Sequence, residues 1–159
     1  MSSASWRACQ RALDRHRSIL AIALGLAAAA RRYAVKFVTA AKLTASLAEA
    51  RSAGTFSRRL AAVTYPRLLI IDEVGFLPLG PEQAALLFEV VSRRYERGSI
   101  VLTSNKSYGE WAEVFSGDAV IATAILDRLL HHSTTITIKG ESYRLKDRRK
   151  AGVVTTTAG

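Results

Sequence analysis

Leu68-Leu69-Ile70-Ile71-Asp72-Glu73 sets four large apolar residues directly before two carboxylates. An unbroken bulky run of this length suits a strand covered on both faces, as in a parallel sheet held between helices. Such a strand delivers the residues that follow it to the carboxyl edge of the sheet, where open α/β sheets bind their ligands. Two adjacent carboxylates at that edge form a Walker B pattern, in which Asp72 holds a hydrated Mg²⁺ and Glu73 polarises an attacking water. The plainer alternative is a buried strand closed by a capping Asp, and these six residues alone do not separate the two.

A second apolar run, Ile100-Val101-Leu102, leads into Thr103-Ser104-Asn105. An Asn at the same edge suits a hydrogen bond to a γ-phosphate or to the water aligned against it, although Ser and Asn also simply end strands. Around these two strands the spacing predicts helices, turns and a third strand. Arg7, Arg11 and Arg15 fall on one face of a basic helix over residues 4–17. A helix over 20–32 is expected to pack on the sheet through Ile22, Leu24 and Leu26. Val35–Val38 reads as a short strand, and Lys42–Arg51 as a helix closed by Gly54. Phe56–Val63 is another helical stretch. Pro81 suits the first turn of a helix Glu82–Arg97 that ends at Gly98, and Ser99–Thr103 is the next strand. Tyr108–Phe115 is a short helix with Trp111 as a packing anchor, and Asp118 caps a longer one reaching His131. Thr134–Ile138 and Ser142–Leu145 flank Gly140-Glu141, a hairpin signal. Strands alternating with helices argue for an α/β fold with a parallel sheet.

Composition narrows the class. The 159 residues are enough for one domain, and 49% apolar content is enough to build its core. Cys9 is the single cysteine and the three histidines form no Cys/His ligand pattern, so a disulfide scaffold and a zinc domain are excluded. His131 and His132, adjacent on a helix, suit neither chelation nor a dyad, and no role is assigned to them. The formal charge of +10 is concentrated: residues 1–67 hold twelve basic and two acidic side chains, and residues 68–159 hold eleven of each. Arg93, Arg94 and Arg97 add a cluster suited to phosphate contact, which positions nucleic acid without reading its sequence. Residues 19–30 are apolar throughout but too short to span a bilayer. Four arginines before them and Ala27-Ala28-Ala29 at their end resemble a secretory signal. A helix buried in an α/β core is the better reading, because a nucleotide-binding pattern follows.

YPRLLIIDEVGFLPL, LLFEVVSRRYERGSIVLTSN, EW and AILDRLLHHS followed by GESYRLK together resemble the IstB-like helper ATPases of bacterial insertion sequences. Those proteins are of the AAA+ class and related to the DnaC helicase loaders. The resemblance runs from about Leu20 to Lys146. It implies a P-loop NTPase (AAA+)-like parallel sheet flanked by helices, with ATP and Mg²⁺ as cofactors and hydrolysis of ATP as the activity. It further implies Asp72 and Glu73 as Walker B, Asn105 as sensor 1, and Arg128 as an arginine finger acting on a neighbouring subunit. Double-stranded DNA, the transposase of the same element and further copies of the chain are the implied partners, in the cytoplasm and away from membranes. Two alternatives stand beside it: a non-hydrolysing remnant that keeps only subunit and DNA contacts, and a DnaC-like helicase loader, although the DRLLHHS and GESYRLK segments look closer to IstB.

One element of the family pattern is missing. No G-x-x-x-x-G-K-[ST] occurs, and none of the ten glycines is followed by Lys. Arg17-Ser18 stands where the family's Lys-Thr would stand, but without the glycines that let backbone N–H groups wrap phosphates, and the correspondence is read as chance. The expected organisation is a basic segment over 1–19 unrelated to the family, a truncated core over 20–146 missing the P-loop strand, and a fraying tail over 147–159. A frameshift or a fragmentary element would produce such a start. Removal of the P-loop strand leaves two strand edges, expected either to pair directly or to leave the core loose. Either way, ATP binding and hydrolysis are expected to be defective.

Overall fold

The computed structural model describes residues 3–138, with side chains from residue 17 onward. Three parallel strands, β1 (Val35–Thr39), β2 (Leu68–Val74) and β3 (Ser99–Ser104), lie in the order β1-β2-β3. Leu68 is opposite Val35 on one side and Ser99 on the other, so the three strands start level. Helix α1 (Ser3–Ala30) covers one face of the sheet. On the other face lie α2 (Ala40–Ser52), α3 (Phe56–Thr64), α4 (Pro81–Arg94), α5 (Trp111–Val114) and α6 (Ala119–Leu130). Side chains alternate across a strand. Leu69 and Ile71 therefore enter the main core with Leu43, Leu86 and Ile125, joined by Val74 after a register shift, while Ile70 faces α1.

Most helix ends follow their local chemistry. Asp118 accepts a hydrogen bond from the Ile121 N–H at 2.9 Å and opens α6. Gly80 precedes α4, whose Gln83 side chain reaches back to the Gly80 N–H at 3.0 Å. Trp111 is fully buried, edge-on to Tyr108 and Phe115, as its reading as an anchor required.

Three expectations are corrected. The helix over 4–17 and the helix over 20–32 are one unbroken helix, which crosses the boundary drawn at residue 19. Its contact with the sheet is made by small residues. Ala21 is buried, and a Cβ on Gly25 would come within 2.9 Å of the Ile70 Cδ1, whereas Ile22, Leu24 and Leu26 are exposed. The helix lies so close to β1 and β2 that only a small-residue face fits, which turns the large side chains outward. Helix α4 stops at Arg94, short of the expected Arg97, because the backbone leaves the helix at Tyr95, with ψ 125°, and turns left-handed at Glu96, with φ 58°.

The Thr134–Ile138 strand is not formed either: residues 133–138 carry no regular secondary structure and join no strand among the described residues, and Thr135 Oγ1 lies 2.6 Å from Tyr108 Oη. The expected partner Ser142–Leu145 lies outside the described residues, as does the 147–159 tail. Between 133–138 and the free edge of β3 runs a groove of about 640 Å³, floored by Leu20 and Leu24 of α1 and by Leu129. Among the described residues no strand fills the place beside β3.

Candidate functional site

Helix α1 runs antiparallel to β2 and lays two turns of one face along it. Gly25 sits over Ile70, and Ser18, seven residues earlier, sits over Asp72, two residues further along the strand. The Ser18 hydroxyl donates to Asp72 Oδ1 at 3.0 Å. The Thr103 hydroxyl, from the end of β3, donates to the same oxygen. Asp72 is 96% buried, with two neutral donors on one oxygen. Burying a carboxylate without partners is costly, so these two hydroxyls are what hold it at the edge.

Directly after Asp72 the strand kinks. The register between β2 and β3 shifts between Ile71 and Val74, and Glu73 adopts φ 62°. Its N–H donates to Thr103 Oγ1 at 3.1 Å, so the Thr103 hydroxyl accepts from Glu73 while donating to Asp72. The kink separates the two carboxylates by environment: Asp72 is buried and Glu73 exposed. A non-glycine residue held at positive φ costs about 1–3 kcal/mol, the kind of strain that gathers at functional sites.

Asn105 completes the edge. A Cβ on Gly75, itself at φ 85°, would lie 3.1 Å from Asn105 Oδ1 and 2.9 Å from the Lys106 side chain, so only glycine lets the two strand ends approach this closely. Asn105 Oδ1 is buried and accepts no hydrogen bond among the described residues. An orphaned acceptor of this kind suits a water or other donor delivered with a ligand. Glu73, Asn105, Ser18 and Arg17 border a cavity of about 10 Å³, room for roughly one water.

The structure thus brings together Asp72, Glu73 and Asn105, and adds Ser18 and Thr103. Ser18, which the sequence reading left without a role, donates its hydroxyl to Asp72. Arg128 is not in this group. Its guanidinium lies 4.6 Å above the Phe88 ring of α4 and donates to the Ala124 carbonyl at 2.9 Å.

Arg94 is corrected outright as a phosphate contact. It is 2% exposed, and its guanidinium donates to the carbonyls of Thr64, Pro66, Arg67 and Ser99 at 2.7–3.0 Å. Desolvation pushes its pKa below the ordinary arginine value. A Cβ on Gly98 would come within 2.5 Å of its Nη2, so the glycine leaves room for this clamp. Arg93 and Arg97 remain exposed.

Comparison with known proteins gives a consistent result. A family model described as IstB-like ATP binding protein matches residues 16–151 and so includes Arg17 and Ser18. An ATP-binding protein of insertion sequence IS21 from Pseudomonas aeruginosa is 54% identical over 136 residues, 86% of this chain and 51% of that protein. One of insertion sequence IS5376 from Geobacillus stearothermophilus is 52% identical, over 82% of this chain and 51% of that protein. The chain spans about half the length of these relatives. Among solved structures, AMPPCP-bound DnaA from Aquifex aeolicus aligns over 90% of this chain and 43% of its own, with TM-score 0.64 and 17% identity. A DnaA bound to AMPPCP and single-stranded DNA aligns with TM-score 0.59 and 22% identity, over 68% of this chain and 34% of its own. At such identities the likeness concerns the fold, which is that of the AAA+ sheet and its helices. With the family match spanning most of its length, the chain belongs to the IstB-like ATP binding proteins.

Proposed function

We propose that this chain is part of an ATP-dependent helper of DNA transposition that keeps the metal and water side of the nucleotide site and lacks the phosphate grip. The observation that carries the first half is the Asp72 carboxylate held by Ser18 and Thr103 beside Glu73 and the orphaned Asn105. These are hard oxygen donors, the kind that suit Mg²⁺. Asp72 with Ser18 would hold the ion, which when bound neutralises charge on the β- and γ-phosphates. Glu73, exposed and at the lip of the cavity, would orient a water, and Asn105 Oδ1 would accept a hydrogen bond from it.

The second half rests on α1. A phosphate cradle needs backbone N–H groups left free at a helix start. Helix α1 begins at Ser3, so the N–H groups around residues 16–20 lie deep in the helix and are spent on carbonyls four residues back. The residues that fit Mg²⁺ therefore do not fit a triphosphate. The expected outcome is negligible retention of labelled Mg–ATP and no turnover by the 159-residue chain. A grafted GxxxxGKT loop with its strand before Leu20 restores binding, and Glu73→Gln in that graft stops hydrolysis while binding persists. Robust turnover by the ungrafted chain that depends on Glu73 overturns this reading.

The partners belong to the same proposal: duplex DNA, the element's transposase and further copies of the chain, in the cytoplasm. No helix among the described residues is long and apolar enough to cross a membrane. The surplus of ten positive charges in residues 1–67, with Arg93 and Arg97, supports non-specific duplex binding. Its log–log salt dependence should have a slope of several units, and a flat response removes the electrostatic argument. Arg128 acts on a neighbouring copy only after leaving the Phe88 ring, so assembly and release of that contact are linked.

A further inference from the structure

The ends of α4 and α6 meet away from the Asp72 site. Helix α4 stops at Arg94 and α6 at Leu130, and the residues just beyond them are Tyr95-Glu96 and His131-His132. One ligand atom from each of Glu96, His131 and His132 lies within 4.8 Å of the others. Neighbouring residues inside a helix point about 100° apart and do not share a ligand. His131 is the C-cap of α6, its N–H still on the Asp127 carbonyl, and His132 follows in the turn beyond it, with the two ring centroids 4.2 Å apart. Tyr95 Oη lies 2.9 Å from His131 Nδ1, with the rings 5.9 Å apart, and this holds the imidazole in place.

We infer that Glu96, His131 and His132 form a binding site for a borderline divalent cation of the Zn²⁺ type. Two imidazole nitrogens and a carboxylate oxygen are a three-ligand set for that ion, with a further position left to water. In a tetrahedral site ligand atoms stand about 3.4 Å apart, since each bond is about 2.0–2.1 Å. The exposed side chains close the remaining distance by small rotations. Two helix C-termini carry their negative dipole ends to this point, which favours a cation over an anion. The bound ion ties the end of α4 to the end of α6.

The test uses the 159-residue chain titrated with Zn²⁺ against a chromophoric chelator, with Co²⁺ as a spectroscopic probe. One equivalent of Zn²⁺ is expected, unaffected by excess Mg²⁺, with Co²⁺ giving the visible bands of a low-coordinate site. Glu96→Ala, His131→Ala and His132→Ala should each weaken Zn²⁺ by at least about ten-fold. Cys9→Ser and His16→Ala, which change the single cysteine and the third histidine of the chain, should leave it intact. The three ligand positions are exposed, so circular dichroism of the variants should match the parent. Absence of stoichiometric Zn²⁺ binding, binding that survives all three alanine variants, or binding lost in Cys9→Ser or His16→Ala overturns the inference.

Discussion

The Ser18 hydroxyl and the Asp72 carboxylate, 54 residues apart in sequence, are joined by a 3.0 Å hydrogen bond across the α1–β2 interface. Thr103 approaches the same oxygen from β3, so three elements converge on one carboxylate. The Asp72 position is therefore a property of packing between α1 and the sheet.

Removing these donors should be felt as stability. Thr103→Val strips Asp72 of one donor and leaves the Glu73 N–H without its acceptor, at a cost of about 1–3 kcal/mol. For a chain of this size, each kcal/mol lowers the melting temperature by about 2–4 °C. Ser18→Ala should cost less, about 1 kcal/mol, because only one bond is lost. Equal melting temperatures for parent and Thr103→Val contradict the geometry.

Arg93 and Arg94 are neighbours with opposite fates. Arg94→Ala abandons four carbonyls at the base of the sheet and should cost about 3 kcal/mol or more in urea unfolding. Arg94→Lys should fare little better, since an ammonium does not reproduce the planar fork. Arg93→Ala should change stability by no more than about 0.5 kcal/mol and instead lower DNA affinity.

The small-residue face of α1 gives a third expectation. Gly25→Leu drives a side chain into Ile70 and should destabilise by about 1–3 kcal/mol. Leu26→Ser on the outward face should leave the melting temperature unchanged, because Leu26 is 67% exposed. A destabilising Leu26→Ser would mean that the large side chains do pack.

The turn before Trp111 should respond to acid. The Ser107 hydroxyl, at 2.5 Å, and the Ser107 N–H, at 2.9 Å, hold the Glu110 pKa below its usual value of 4.5. A carboxyl with a depressed folded-state pKa contributes stability above its unfolded value, which is lost as pH falls through the lower folded value. Trp111 fluorescence should therefore change at a pH beneath 4.5, and Glu110→Gln should abolish that step. A step unchanged in Glu110→Gln assigns it elsewhere.

Much of this was legible in the sequence because it is local. The Leu68–Ile71 run announces a strand buried on both faces, Asp118 announces a cap, and strand direction carries Asp72 and Asn105 to one sheet edge, although the Ser18 contact that holds Asp72 there does not follow from it. What was not legible depends on approach distance between elements. Nothing in Ile22, Leu24 or Leu26 says that the sheet comes too near for them, and Gly25 reveals it only through Ile70. Arg94 looks like Arg93 until the carbonyls of Thr64, Pro66, Arg67 and Ser99 are in place around it. Thr134–Ile138 has strand composition but no strand beside it among the described residues, and composition cannot supply one.

The clamp built by Arg94 has a consequence for how the sheet comes apart. It fastens the chain just before β2 to the first residue of β3, at the amino ends of both strands, whereas Asp72, Glu73 and Asn105 occupy the opposite ends. The opposite ends are held mainly by hydroxyl groups and a kinked, left-handed Glu73. Local opening should therefore begin at the carboxylate edge and travel toward Leu68 and Ser99, whose amides exchange last. The sheet is a zipper fastened at one end, and the loose end is where the chemistry stands.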